Sequence, residues 1–144
     1  MAGNFGGIDA LRRNRKIEGE EGIDLRIPNS EVVLHVLAAT DSNPKWRALK
    51  DKTMKEAARQ EKAGASAEEL QNIWAKLFAA ALVIGWKNVV DAEGHPVDFS
   101  IENCTKFLSA GEADDAYDAV RLECANTQNF RIARKEAIVD NAKN

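Results

Sequence analysis

Apolar and polar residues alternate strictly along Ile23-Asp24-Leu25-Arg26-Ile27, the period of a half-buried strand. Pro28-Asn29-Ser30 supplies a turn, and the β-branched run Val32–Leu37 predicts a second strand, antiparallel to the first. The period then lengthens. Ser42-Asn43-Pro44 places a capping side chain ahead of a proline, which predicts a helix from Pro44 to Lys62, closed by Ala63-Gly64. Its apolar stripe, Trp46, Leu49, Thr53 and Ala57, is weak. Ser66 and Glu69 have capping-box spacing, and Leu70, Ile73, Trp74, Leu77, Phe78, Ala81 and Leu82 follow an unbroken helical period. Beyond Ala79 that segment is apolar all round through Val83 and Ile84, which predicts a central helix ending at Gly85. Trp86–Ser100 reads as a loop with extended pieces at Val89-Val90 and Val97–Phe99. Helices are then predicted over Ile101–Ala110, over Glu112–Ala125 and from Gln128, the last burying Phe130, Ala133 and Ala137.

Residues 1–22 show no apolar period and are interrupted by Gly3, Gly6, Gly7, Gly19 and Gly22. The expected organisation is a flexible basic arm over residues 1–22 and one domain over residues 23–144. Removal of residues 1–19 is expected to leave the fold intact. The predicted class is α+β: a mainly helical single domain with a small N-terminal antiparallel β-hairpin.

Composition narrows the class without naming a function. The chain is 44% hydrophobic and 30% charged, which excludes collagenous, disulfide-scaffold and strongly disordered proteins. The net charge of −3 argues against a domain built to bind nucleic acid. The charge is nevertheless uneven. Arg12, Arg13, Arg15 and Lys16 cluster in the arm, and Pro44–Lys62 carries seven basic residues against three acidic. These two basic elements, with Lys50, Lys52 and Lys55 on the second, are the expected partner-binding surfaces. Glu112, Asp114, Asp115 and Asp118 form an acidic counterpart. Four arm charges would hold a polyanion only weakly and with strong salt dependence, so nucleic acid is not the expected partner.

No catalytic or metal-binding constellation emerges. Cys104 and Cys124 are 20 residues apart with no CxxC, which predicts buried thiols in a reducing compartment, a disulfide being the lesser reading. Asp91 to Glu102 imitates a calcium loop, but the sixth position, where the turn needs glycine, is Pro96. His95 lies nine residues from Cys104 with nothing to orient the pair, and His35 reads as a strand residue. Asp114-Asp115 at a helix start are explained by the helix dipole. Neither enzyme activity nor a cofactor is expected. Met1–Gly7 lacks the apolar core of a signal peptide, and Leu77–Gly85 is about half a membrane span. The expected location is a cytoplasm.

One stretch resembles a known group. Ala80–Val89 with its Gly85-Trp86 pair is followed by Asp91-Ala92-Glu93-Gly94-His95-Pro96-Val97-Asp98-Phe99-Ser100, then Glu102-Asn103 and Phe107-Leu108. This is similar to the pattern "apolar helix, Gly-Trp, (D/E)-x-x-G-x-P-(V/I)-x-(F/Y)-(S/T)-x-E-N" of small proteins from tailed-bacteriophage tail modules, tail assembly chaperones among them. The resemblance implies a non-catalytic protein that binds tape-measure or tail-tube subunits in the host cytoplasm and needs no cofactor. It leaves open a structural virion protein, a minor tail or neck component retained in the particle, and a homo-oligomer. On this reading Trp74, Phe78, Leu82, Trp86, Gly94, Pro96 and Phe99 form scaffold and core, with Gly94 permitting a turn and Pro96 stiffening it.

Overall fold

Ile23 and Leu25 on strand β1 (Ile23–Arg26) and Leu34 and Val36 on strand β2 (Val33–Val36) are all fully buried. The alternation read from the sequence therefore sets the hairpin, in which Ile23 pairs with Val36 and Leu25 with Leu34. The computed structural model describes residues 6–8 and 11–131. Helix α1 (Pro44–Lys62) begins and ends where expected, and helix α2 (Ala67–Ala81) carries the complete Ser66/Glu69 capping box. Strand β3 (Val83–Lys87), helix α3 (Ile101–Leu108) and helix α4 (Asp114–Glu123) follow, then a 3₁₀ turn over Thr127–Phe130. This is the α+β, mainly helical class that the pattern predicts. Of the expected final helix, Phe130 is fully buried, whereas Ala133 and Ala137 lie outside the described residues.

Three expectations are corrected. The central helix stops at Ala81, and Val83–Lys87 pairs antiparallel with β2, making a three-stranded sheet in the order β1-β2-β3. A short apolar run satisfies a helix period and a strand equally well, so periodicity could not separate Val83-Ile84 from the helix before it. The register slips between His35 and Val36, so that Ile84 bulges outward and is exposed while Gly85 sits opposite His35. Gly85 is thus a strand residue, not a helix stop.

The second correction concerns the arm. Ile17–Glu21 forms a π-helical turn in which Ile17 and Glu18 are buried. A backbone bond from Ala38 N to Glu18 O (2.8 Å) fixes the turn beside the end of β2. Gly19 and Gly22, which read as signs of flexibility, are places of close approach. A Cβ on Gly19 would run into the carbonyl oxygen of Ser42, and one on Gly22 into that of Val36. The domain therefore begins before residue 17, and loss of residues 1–19 would remove buried groups.

Helix α2 lies at the centre, packed by α1, α3 and β3. Phe78 joins Trp46 on α1 (ring centroids 6.4 Å) to Tyr117 on α4 (5.3 Å). Phe78 and Leu82 are buried as expected, and Trp74, Trp86 and Phe99 are half-buried against the same core. Gly94 and Pro96 are not core residues: both are exposed, on the turn that follows β3. Gly94 has φ +84°, and its amide closes the turn on Asp91 O (3.0 Å), while Pro96 bridges back to Val90. Their role is to reverse the chain so that Trp86 can meet the returning segment.

Trp86 fastens that segment. Its Nε1 donates to Val97 O (2.8 Å), and its ring meets Phe99 and Phe107 edge-on at 5.3 and 5.4 Å. Trp86→Ala is expected to lower unfolding free energy by about 2 kcal/mol, less than for a fully enclosed tryptophan, because the ring is only partly covered. Chemical denaturation checks this, and an unchanged midpoint would show that the loop holds itself.

Candidate partner-binding surfaces

The basic arm is largely occupied by its own fold. Arg13 forms a two-bond pair with Glu18, Nη2 to Oε1 at 2.6 Å and Nε to Oε2 at 3.0 Å. Thr40 Oγ1 donates to the same carboxylate at 2.8 Å. Burial pushes the Glu18 carboxyl upward, but the hydrogen bonds from Arg13 and Thr40 and the Arg13 charge outweigh it, holding the group below its ordinary value. Arg15 Nη1 donates to Ser42 Oγ (3.0 Å), and Lys16 faces Glu21 at 3.5 Å. Arg12 is exposed. Arg13 is thus engaged by its own fold: a buried carboxylate needs a cation, and Arg13 is that cation.

Helix α1 retains its basic surface. Lys50 reaches Asp41 at 3.1 Å, Arg59 pairs with Glu56 at 2.6 Å, and Lys52 and Lys55 are exposed. Beside them lies a groove between α1 and α2 of about 340 Å³. Leu49, Thr53, Ile73, Leu77 and Ala80 line it, and Lys52, Lys76 and Glu56 stand at its rim. The weak stripe of α1 is the physical reason. Small Thr53 and Ala80 do not fill the space between the helices, so apolar surface stays open beneath a pair of lysines. Lys76 was not singled out from the sequence, and Ile73 was read there only as a core position of the α2 stripe. Their signal was present in the strong α2 stripe facing the sparse one of α1.

The remaining chemistry-bearing residues are held in structural roles. Cys104 and Cys124 are both unbridged and buried. Burial raises the Cys104 thiol to about 12 and the Cys124 thiol also upward, so both stay protonated at neutral pH. His35 ties the π-helical turn to the sheet, with Nδ1 2.7 Å from Asp24 Oδ1 and Nε2 2.6 Å from Glu21 O. His95 is exposed, and Asp91 Oδ1 accepts from the amides of Glu93 and His95 within its own turn. Among the described residues, no three His, Cys, Asp or Glu side chains converge as a metal site, and no helix is long and apolar enough to cross a membrane.

The family model described as YdaY prophage protein matches residues 41–141, a span that begins just before α1 and takes in both walls of the groove. No curated protein and no solved structure matches the chain.

Proposed function

The chain belongs to the YdaY prophage protein family and is of phage origin, and from that premise we propose that it acts as a tail assembly chaperone-like protein. It binds tape-measure or tail-tube subunits in the host cytoplasm, without catalysis or a cofactor, and releases them as the tail is built. The observation that carries this reading is the α1–α2 groove, an apolar floor with Lys52 and Lys76 at its rim. Such a groove suits one face of an amphipathic helix with acidic flanks, the helix-in-groove mode of recognition. The Gly-Trp and Gly-x-Pro segment supports the reading by its likeness to tail-module proteins. It builds the scaffold around Trp86 and leaves the groove open.

Co-expression with the tail proteins of the same prophage tests the proposal. Reversal of Lys50, Lys52 and Lys55 to glutamate is expected to leave helicity unchanged but to reduce co-purification of the tail protein about tenfold or more. Salt should no longer weaken the surviving complex, because the attracting charges are replaced by ones that repel acidic flanks and salt screens that repulsion. Equal capture by the reversed protein, with the original salt response, would refute the assignment of this surface. Recovery of the chain from purified virions at fixed copy number would instead support a structural tail or neck component.

A further inference from the structure

Two exposed helix stripes in this protein have the same spacing and opposite charge. On α1, Arg47, Lys50 and Met54 fall at i, i+3 and i+7, which places them on one side of the helix, away from the groove against α2. On α4, Asp115, Asp118 and Leu122 fall at the same intervals. Each stripe ends in a large exposed apolar side chain, Met54 at 54% and Leu122 at 55%. Leu122 stands over a shallow groove of about 390 Å³ floored by Leu25, Pro28 and Ala119 and edged by Asp115, Asp118 and Glu123. The groove is wide enough for a flexible methionine, and its rim attracts the cations beside that methionine.

We propose that copies of this chain associate with one another head to tail, the α1 stripe of one copy seated on the α4 stripe of the next. In parallel register, Arg47 meets Asp115, Lys50 meets Asp118, and Met54 enters the groove beside Leu122. Lys50 and Arg47 at present reach Asp41, at 3.1 and 3.3 Å, and Asp118 faces Arg121 at 3.7 Å. Surface contacts of this kind contribute little and exchange readily for an intermolecular pair. Because the two patches differ, the contact is heterologous and repeats, giving chains or a ring instead of a closed two-fold dimer. It leaves the α1–α2 groove uncovered, but Lys50 is common to this contact and to the lysine reversal above, so the α4 variant described below is the one that separates self-association from capture of a tail partner.

Sedimentation of the full-length protein over a wide concentration range is the test. Association is expected at low salt and should weaken as the screening length falls from about 30 Å at 0.01 M to about 8 Å at 0.15 M salt. Two variants isolate the interface: Arg47→Asp with Lys50→Asp on α1, and Asp115→Lys with Asp118→Lys on α4. Each alone should remain monomeric, because both of its patches then carry one sign. Mixed in equal amounts they should associate, since every contact between unlike variants is again complementary. A wild-type chain that is monomeric at all concentrations and salts overturns the proposal. Variants that associate alone as the wild type does, or a mixture that fails to associate, overturn it as well. The α4 variant leaves Lys52 and Lys76 in place, so its capture of a tail protein should be unchanged.

Discussion

Asn43→Ala is expected to lower the unfolding free energy by about 3–4 kcal/mol, with a fall in Tm of roughly 10 °C or more. Asn43 is fully buried and joins three elements. Its Oδ1 accepts from Trp46 N (3.4 Å) as the cap of α1, while its Nδ2 donates to Ala38 O (3.1 Å) and Ala81 O (2.7 Å). Alanine removes a cap, a loss of about 1 kcal/mol, and strips a donor from two buried carbonyls at about 1 kcal/mol or more each. Asn43→Asp separates these effects. It keeps the cap acceptor but turns a second acceptor toward the two carbonyls, so it should be at least as destabilising as alanine. Chemical denaturation of both variants checks the account. An aspartate variant as stable as wild type would mean that capping alone matters.

Arg13→Ala is expected to destabilise the fold by about 3 kcal/mol, the low end for a broken buried pair because the Arg13 side chain is 35% exposed. The loss comes from Glu18, which would remain fully buried with the hydroxyls of Thr40 and Ser42 near it but no cation. Arg13→Ala combined with Glu18→Gln should therefore be more stable than Arg13→Ala alone. The pH dependence has a definite sign. The folded protein holds Glu18 below its ordinary value, so this group's stabilisation is complete above an unfolded value of about 4.3 and is lost as pH falls through the folded one. Without Arg13 burial dominates and raises the group instead. The gap between wild type and Arg13→Ala should then narrow on acidification, starting above the ordinary carboxylate value, where the variant's Glu18 takes up its proton, and continuing below it as the wild type loses its own stabilisation. A gap that stays constant from neutral to acid pH would remove Glu18 from the explanation.

The same residues mark how far the sequence could be read. Local rules sufficed where a structure is decided by near neighbours. The Ile23–Ile27 alternation placed β1, Asn43-Pro44 started α1, the Ser66/Glu69 box started α2 and Ser100 capped α3. Each of these signals acts within four residues of chain, and each appears in the fold at its predicted position. The groove was legible only in part: both helices and both stripes could be drawn, but not that Thr53 and Ala80 would face each other and leave space.

What the sequence determined by itself was the β1–β2 hairpin and the four α-helices, the side of each that turns inward and the uneven placement of charge. Tertiary structure decided whatever depends on a distant partner. Val83–Lys87 became a strand because the edge of β2 offered it hydrogen bonds, a possibility invisible in the apolar run itself. Gly19 and Gly22 became contact points because Ser42 and Val36 lie against them. Arg13 turned back onto its own fold because Glu18, five residues on, is buried and bonded to Thr40 and Ala38. The physical reason is common to all three. Propensity and period are set by local sterics, whereas burial of a charge, close backbone approach and strand pairing depend on which distant atoms arrive.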